Sequence, residues 1–417
     1  MDRQLRIAID CRIADPNQGI GTAVLALAKA FSDSVPPGQE YTFIVRESTK
    51  EWLAPYVYGP CKLVGIPESA LSGVKAALGS VPPLRFIWRK VRGKSISIPV
   101  SDGFVEAHEF DVVHFPTQVA YLTERPSIYQ PWDLQHLHYP NFFSKMEFDN
   151  RERLYRAFCD QALYVCVQAE WTKKDIVDHY GLLAEKIVVV PWGSVFDAYE
   201  PPSQEDIQTC IRKYGLPNSF FVYPAVTWPH KNHEIILRAL HILKIHHGAA
   251  PHVFFTGSTT DYRPILDRLA QDLGVFEQLH YLGFISPTDL QVIFRTATAM
   301  VFPSRFEGFG LPILEAFHAG LPVISSNSTT LPEVARDGAL YFDADSPEEL
   351  AALMRTLSDS SELRYDLARK GSLVLMQSSI KNTVVALQSL YARSAAISSR
   401  NNCLPSVYAA SRSVRME

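Results

Sequence analysis

Short apolar stretches alternate with segments of helical period along most of this chain, and the alternation occurs in two successive halves. The apolar stretches are rich in Val, Ile, Phe and Tyr, which favours buried strands, and the segments between them favour helices. Repeated strand–helix units predict parallel sheets covered by helices. The predicted strands are 5–10, 41–45, 62–66, 111–116, 127–132, 163–168 and 186–191 in the first half, and 220–226, 252–257, 279–284, 299–303, 322–327 and 339–344 in the second.

A segment of different composition separates the two halves. Residues 192–206, WGSVFDAYEPPSQED, combine glycine, paired prolines and acidic residues, which is typical of a linker. We therefore predict an α/β protein with two Rossmann-like doubly wound domains, 1–195 and 196–378. Residues 379–397 are predicted to form a final helix, and the polar residues 398–417 are expected to be disordered.

Composition and charge restrict the class of protein. The chain has 417 residues, of which 47% are hydrophobic and 20% charged, and this agrees with a globular protein of two domains. A net charge of −4 argues against a nucleic-acid partner. No apolar run approaches the ~20 residues of a membrane span, and the N-terminus leads directly into a predicted strand, so a cytoplasmic location is expected. The six cysteines lack metal-ligand spacing and are expected to be reduced.

The stretch PSRFEGFGLPILEAFHAG, residues 303–320, carries the most specific chemistry. Glu307 and Glu315 stand eight positions apart across a turn that opens a predicted helix. Pro312 suits the first helical position, and Glu315 is then expected in the first turn. A carboxylate before the turn and another inside the helix have different neighbours. This layout predicts a nucleotide-sugar site.

Two glycines support this interpretation. Gly308 and Gly310 allow the backbone to approach a ligand closely, and the N–H groups of the following helix favour a phosphate. A plain strand–turn–helix junction with solvated glutamates is the alternative for the motif alone.

The second half as a whole resembles the catalytic half of GT-B glycosyltransferases, in particular the retaining E-x7-E type (glycosyltransferase family 4, glycosyl transferases group 1). The resemblance implies two domains that face each other across a cleft, a final helix that crosses back to the first domain, and no cofactor besides the nucleotide-sugar substrate. Five segments carry it, in family order: 220–240, 253–258, 281–294, 301–327 and 331–351.

The resemblance also implies roles for individual residues. Lys231 would contact the diphosphate, Glu307 the hydroxyls of the transferred sugar, and Glu315 the ribose. A solvated surface position is the alternative for Lys231, and a packed core position is the alternative for Phe284. The donor-binding residues predicted in this way are Gly19, Gly21, Lys231, Gly257, Phe284, Ile285, Gly308, Phe309, Gly310, Leu311 and Glu315.

The donor half departs from the family pattern at one position. Many relatives have an arginine six residues before the lysine, where this chain has Ala225, so His230 or Arg305 is expected to meet the phosphate charge. Residues 343–345 spell Asp-Ala-Asp, a metal-binding pattern of another glycosyltransferase class. Because Ser346 begins a predicted helix with Pro and Glu in capping positions, we interpret these acidic residues as part of a helix cap and predict no metal there.

The first half is expected to present the acceptor. Gly19 and Gly21 are predicted in a loop that opens a helix, where the resemblance implies contact with the diphosphate. Val24 stands where the dinucleotide-binding fingerprint G-x-G-x-x-G requires its third glycine, so this fingerprint is incomplete. Trp132 stands where relatives often have a histidine. Asp133 and His136, together with Glu307 and Lys231, are the predicted catalytic residues, although packing in a loop is the alternative for the histidine.

A basic and aromatic cluster occupies residues 84–94. Its arginines and lysines suit peripheral contact with an anionic membrane on the cytoplasmic side, and a solvated helix face is the alternative.

Taken together, the sequence predicts metal-independent, front-face retaining transfer of a hexose, with mannose as the family-level expectation, from a nucleoside-diphosphate sugar to a glycan or lipid-linked acceptor. Two alternatives stay open at this level. One is a nucleotide-sugar epimerase or hydrolase on the same fold, and the other is a non-catalytic module that binds glycan or nucleotide.

Overall fold

The computed structural model of the chain describes residues 4–12, 19–67 and 97–400, with side chains up to residue 397. These residues form two compact units. The first unit comprises residues up to Pro191 together with those from Lys381 onward, and the second comprises Trp192–Ile380. The sequence had placed the first boundary at 195/196. Residues 84–94 and 401–417 lie outside the described part.

The first unit is built on a seven-stranded parallel sheet with the order β3-β2-β1-β4-β5-β6-β7. Its strands are β1 (Leu5–Asp10), β2 (Gln39–Arg46), β3 (Lys62–Ile66), β4 (Val112–Phe115), β5 (Ser127–Tyr129), β6 (Tyr164–Val167) and β7 (Ile187–Val189). Its described helices are α1 (Gly19–Asp33), α2 (Lys50–Leu53), α3 (Phe104–Ala107), α4 (Gln135–His138), α5 (Lys145–Gln161) and α6 (Glu170–Tyr180), and helix α15, which belongs to the end of the chain (Ile380–Arg400), returns to it.

The second unit has a six-stranded parallel sheet with the order β10-β9-β8-β11-β12-β13. Its strands are β8 (Phe220–Pro224), β9 (His252–Thr256), β10 (Leu279–Gly283), β11 (Ala299–Phe302), β12 (Val323–Ser326) and β13 (Ala339–Phe342). Its helices are α7 (Gln204–Tyr214), α8 (His233–His247), α9 (Arg263–Asp272), α10 (Pro287–Thr296), α11 (Leu311–His318), α12 (Leu331–Ala335), α13 (Pro347–Asp359) and α14 (Ser361–Gln377).

The thirteen predicted strands are all present, which confirms the two parallel sheets. The centres of the inner strands are almost fully buried, as expected where helices cover a parallel sheet, whereas the edge strands β3 and β10 are mostly half-buried. Several strands end earlier than predicted. The prediction for 127–132 ran three residues too far, because the chain leaves the sheet after Tyr129 and Trp132 then adopts a left-handed backbone with φ of 70°.

Each sheet reverses its strand order once. In the first unit the reversal lies between β1 and β4, and in the second it lies between β8 and β11. At such a switch point the loops that follow the two central strands diverge to opposite faces and leave a crevice at the carboxyl edge. The loops after β8 and β11 contain Lys231 and Glu307. The topology therefore brings these two predicted residues to one place.

The last helix, α15, packs on the first unit. The ring of Tyr391 stacks on Phe31 with centroids 6.0 Å apart, and its hydroxyl lies 2.8 Å from His114 Nδ1. Gln388 Nε2 donates a hydrogen bond to Ser34 O at 2.7 Å. The helix runs from Ile380 to Arg400 and thus extends three residues past the predicted end.

Two further observations concern the chain as a whole. None of the described helices is both long and apolar enough to cross a membrane. The described cysteines, at positions 11, 61, 159, 166 and 210, are buried and free, as the sequence predicted for them. Cys403 lies outside the described residues.

Candidate functional site

Two oppositely charged side chains meet at the switch point of the second unit. Lys231 Nζ lies 2.6 Å from Glu307 Oε1, and the two side chains retain 20% and 12% exposure. This is a charge-assisted hydrogen bond that solvent still reaches. The ammonium holds the carboxylate in one orientation, and both groups remain accessible to a small ligand.

The lysine is positioned by a tight turn after β8. Residues Pro229–Lys231 form a short 3-10 turn, and Asn232 follows it with φ of 57°. Asn232 Nδ2 donates to Pro303 O at 3.2 Å and to Ala344 O at 2.8 Å. The buried hydroxyl of Tyr223 donates to Lys231 O at 2.8 Å. These bonds hold the backbone on both sides of Lys231, so the position of its Cα is fixed.

The glutamate is positioned by a threonine from the loop after β12. Glu307 N donates to Thr329 Oγ1 at 3.1 Å, and that hydroxyl donates to Glu307 O at 3.0 Å. Thr330 Oγ1 donates to Phe309 O at 3.0 Å. Thr329 has φ of 49°, which is uncommon for a β-branched residue and is found where surrounding contacts hold it. The loops after β8, β11 and β12 are thus joined into one rigid edge.

Gly310 ends this loop and begins helix α11. Its φ is 106°, and an added Cβ would lie 2.8 Å from Leu331 Cδ2, so only glycine fits. As the N-cap it has no side chain to satisfy the helix N–H groups, and this leaves the N-terminus of α11 suited to an anion.

The helix begins one residue earlier than predicted. Leu311 is its first residue, Pro312 its second and Glu315 its fifth. The prediction that Pro312 occupies the first position and Glu315 the first turn was therefore wrong. The left-handed Gly310 is the physical reason, because the chain already has helical geometry immediately after it.

Glu315 is a buried carboxyl group. Its side chain belongs to a residue that is only 8% exposed, and burial raises its pKa to about 7 from the ordinary value of 4.5. Near neutral pH the group is therefore balanced between its protonated and ionised forms. In the ionised form its oxygens can only accept hydrogen bonds.

The other predicted donor residues lie on neighbouring loops of the same unit. Gly257 has φ of 102°, and a Cβ there would lie 3.0 Å from the carbonyl carbon of Ala225, so this glycine lets the loops after β8 and β9 pass closely. Phe284 follows β10 and is 60% exposed. The alternative of a packed core position is thus wrong for Phe284. Ile285, next to it, is half-buried.

His230 and Arg305 are the predicted partners for the phosphate charge. Arg305 N donates to His230 O at 2.8 Å, which joins the loops that carry both residues. The Arg305 guanidinium forms an ion pair with Asp345. The predicted cap is confirmed: Ser346 is the N-cap of α13, its hydroxyl accepts a hydrogen bond from Glu349 N, and Pro347 is the first residue of the helix.

Gly19, Gly21 and Asp133 are predicted site residues that belong to the first unit. Gly19 and Gly21 are the first and third residues of α1, so their predicted placement in a loop was wrong, and residues 13–18 before them lie outside the described part. The helix starts as soon as the described chain resumes. Asp133 accepts hydrogen bonds from Gln118 Nε2 at 3.2 Å and from Gln135 N at 2.9 Å.

His136 and Trp132 are enclosed by the first unit. His136 is fully buried, with Nε2 3.1 Å from Glu152 Oε2, and burial lowers its pKa. Trp132 is 8% exposed and donates from Nε1 to Pro116 O at 2.9 Å. Both side chains therefore have partners inside the fold.

The switch point of the first unit holds a buried ion cluster that sequence reasoning missed. Arg12 Nη2 lies 2.7 Å from Asp10 Oδ2, and its Nη1 pairs with Asp102. Tyr121 donates from its hydroxyl to Asp10 Oδ2 at 2.6 Å, with its ring under the guanidinium. The sequence signal was an Asp-Cys-Arg tripeptide directly after an apolar strand.

Sequence reasoning also missed the supporting residues of the second unit. Tyr223, Asn232 and Thr329 hold the backbone of Lys231 and Glu307 in place. The available sequence signals for these residues were an Asn between a lysine and a predicted helix, and a Thr-Thr pair before Leu-Pro.

Comparisons with known proteins agree with this geometry. The sequence signature described as "Glycosyl transferases group 1" matches residues 206–373. The chain is 27% identical to the O-antigen chain mannosyltransferase B of Escherichia coli over 60% of its own length and 68% of that enzyme. It is also 27% identical to the O-antigen chain mannosyltransferase RfbU of Salmonella typhimurium, over 54% of its own length and 59% of that enzyme.

A solved structure shows the same fold. The HepE protein of Anabaena, in complex with UDP and glucose, superposes with a TM-score of 0.68 over 93% of this chain and all of its own, at 18% identity. The two parallel sheets confirm the two Rossmann-like domains of the GT-B architecture that the sequence predicted. Residues 206–373 therefore match the glycosyl transferases group 1, and the chain has the GT-B fold of hexosyltransferases.

Proposed function

We propose that this enzyme transfers a hexose from a nucleoside-diphosphate sugar to a glycan or lipid-linked acceptor, with retention at the anomeric carbon. The observation that carries the proposal is the Lys231–Glu307 pair at the β8/β11 switch point, 2.6 Å apart and still reached by solvent. A cation and a carboxylate at a crevice of this kind suit a ligand that has phosphate at one end and hydroxyl groups at the other.

Each end of the donor has a partner of suitable chemistry. Lys231 and the N-terminus of α11, beginning at Leu311, would face the diphosphate. Glu307 would accept hydrogen bonds from the sugar hydroxyls, and Glu315 from the ribose. The exposed ring of Phe284 would lie against the base.

Charge develops on the diphosphate as the sugar leaves. In front-face transfer the acceptor oxygen forms a bond to the anomeric carbon on the side from which the diphosphate departs, the bond between that carbon and the phosphate oxygen breaks, and the acceptor proton passes to the leaving phosphate. The cation and helix dipole then stabilise the new negative charge. No divalent metal takes part in this proposal. Asp133 and His136 remain proposed catalytic residues of the first unit.

The proposed sugar is mannose and the proposed donor is GDP-mannose. Two of the relatives are named as O-antigen mannosyltransferases, and this supports both mannose and a surface-polysaccharide acceptor. HepE was solved with UDP and glucose, so uridine donors are the main competitors.

The test is a panel of GDP-, UDP-, ADP- and dTDP-hexoses, read first by thermal stabilisation and then by transfer to lipid-linked oligosaccharide acceptors. We expect stabilisation and transfer with GDP-mannose, an α-anomeric product by NMR, and an unchanged rate when Mg²⁺ or Mn²⁺ is added. Stabilisation without transfer to any acceptor would favour a binding module instead. Conversion of the donor without an acceptor would favour an epimerase or hydrolase.

A further inference from the structure

Three side chains with metal-binding atoms meet in the first unit, and none of the three has a role in the proposed transfer. His138 ends α4, and Asp175 and His179 lie four positions apart on one face of α6. His138 Nε2 is 2.7 Å from Asp175 Oδ1, and His179 Nδ1 is 3.1 Å from the same oxygen. One ligand atom of each residue lies within 4.8 Å of the others.

The carboxylate at the centre of this cluster has an unused oxygen. Asp175 is 6% exposed, and its Oδ2 has no hydrogen-bond partner among the residues that the structure describes. A buried carboxylate oxygen without a partner is costly in free energy. The two imidazoles are more open, with side-chain exposures of 27% for His138 and 41% for His179. The cluster therefore faces solvent on its histidine side, and an ion can enter there.

We propose that His138, Asp175 and His179 bind a divalent zinc ion. Two imidazoles and one carboxylate are a common ligand set for zinc, and the fourth position would be taken by water. Imidazole ligands favour zinc over magnesium and calcium, which prefer oxygen. The ion joins the end of α4 to α6.

The observed distances fit this assignment with a small movement. Ligand atoms around a tetrahedral zinc ion at about 2.0–2.1 Å stand about 3.3 Å apart, so the contacts of 2.7 and 3.1 Å would each open by a few tenths of an ångström. The hydrogens now shared between the imidazoles and Asp175 leave when the ion binds, because each histidine must offer a lone pair. His179 Nδ1 also lies within hydrogen-bond distance of the backbone carbonyl of Asp175, at 2.9 Å, and this bond is given up when Nδ1 binds the ion.

The competing arrangement is a metal-free His–Asp–His hydrogen-bond network. In that network His138 Nε2 bonds to Asp175 Oδ1, His179 Nδ1 donates to the backbone carbonyl of Asp175, and Asp175 Oδ2 stays unpartnered among the described residues. A bound ion places a full positive charge beside both oxygens, which removes this asymmetry.

The test is zinc binding by the full chain, produced without a histidine tag and stripped of metal. Zinc content is measured after equilibration and desalting, and the melting temperature is followed as zinc is added. The ligand variants are His138→Gln, His179→Gln and Asp175→Asn. The matched control is His246→Gln, an exposed histidine at the end of α8 in the second unit.

We expect one zinc ion per chain in the wild type and in the control, with a melting temperature that rises with zinc. Each ligand variant should lower the zinc affinity at least about tenfold. If Asp175→Asn does not fold, the two histidine variants at exposed positions decide the matter. Equal zinc content in the wild type and all three ligand variants, or no bound zinc in the wild type, would overturn the assignment. The readout is metal binding, so the result is independent of the proposed transfer reaction.

Discussion

The two sheets reverse their strand order at equivalent points, yet the charges there have different surroundings. In the first unit the Arg12 side chain is 2% exposed and is paired with two aspartates that are also largely enclosed. In the second unit Lys231 and Glu307 keep 20% and 12% exposure. A charge enclosed by partners on every side has no room for a ligand, and removal of one partner leaves the others as uncompensated buried charges. A charged pair that solvent reaches can exchange its partner for a ligand.

The same difference extends to the predicted catalytic residues. Lys231 and Glu307 are held through their backbones by Tyr223, Asn232 and Thr329, and their side-chain ends remain accessible. His136 is held through its side chain, by Glu152. The side-chain ends of Lys231 and Glu307 are therefore open to a ligand, whereas His136 Nε2 would first have to leave Glu152 before it could take part in proton transfer.

Arg12→Met should have the largest effect on stability and is the sharpest test of the first switch point. Removal of the guanidinium leaves Asp10 and Asp102 as buried charges without their cation, and we expect a loss of about 3–5 kcal/mol in the free energy of unfolding. Urea denaturation measures it. The control is Lys145→Ala, which breaks an exposed pair with Asp149 and should cost at most ~0.5 kcal/mol. Equal losses in the two variants would contradict the comparison.

Glu307→Ala should abolish useful transfer while the protein stays folded. Loss of the group that orients the sugar is expected to lower kcat about 100- to 1000-fold, and the nucleotide should still raise the melting temperature. Single-turnover transfer and thermal shift are the two measurements. Transfer at the wild-type rate would remove Glu307 from the proposed mechanism.

Glu315→Gln tests the buried carboxyl group through pH. Because its pKa is raised from 4.5 to about 7, the folded state keeps a proton on Glu315 in this pH range, whereas the unfolded chain has already lost it. Above pH 7 the carboxyl is ionised in both states, and its burial in the ionised form lowers the free energy of unfolding. Below pH 4.5 it is protonated in both states and has no such effect. The substitution should therefore raise the free energy of unfolding by about 3 kcal/mol at pH 8 and change it little near pH 4.5. Urea midpoints at the two pH values check this. An equal gain at both would rule out burial of the charge as the cause.

Lys231→Ala should have the smallest effect of the four substitutions, and it should change ligand binding rather than the stability of the fold. Loss of a charged hydrogen-bond donor is expected to weaken nucleoside-diphosphate binding about 10- to 100-fold, as measured by calorimetry. Because the pair with Glu307 is partly exposed, the free energy of unfolding should change by less than ~1 kcal/mol. A larger loss of stability than in Arg12→Met would invert the contrast between the two switch points.

The sequence predicted the elements better than the contacts between them. Apolar runs located all thirteen strands, because the buried inner strands and even the half-buried edge strands β3 and β10 contain short runs of apolar residues. The start of α11 was missed by one residue, since it depends on the left-handed backbone of Gly310 and the side chain of Leu331 that excludes a Cβ. No local pattern contains such a distant neighbour.

The same is true of the site residues: those marked by a motif were predicted, whereas features that depend on distant contacts were not. Glu307 and Lys231 were found from motif and resemblance, and the strand order explains why residues 76 positions apart lie 2.6 Å apart. The burial of His136 could not be predicted, because it depends on Glu152 and on the rings of Phe148 and Tyr155 packing around a four-residue helix. The exposure of Phe284 was equally non-local, since an aromatic residue after a strand is found in cores and at ligand sites alike.

The return of α15 to the first unit has a consequence for biosynthesis. Tyr391 fills a place between Phe31 and His114, so the first unit stays incomplete until the ribosome has translated all of residues 192–380. At ~5–20 residues per second this delay is about 10–40 s, during which the apolar surface around Phe31 lacks its cover. The second unit, although later in the chain, is the first whose complete set of residues is available for folding.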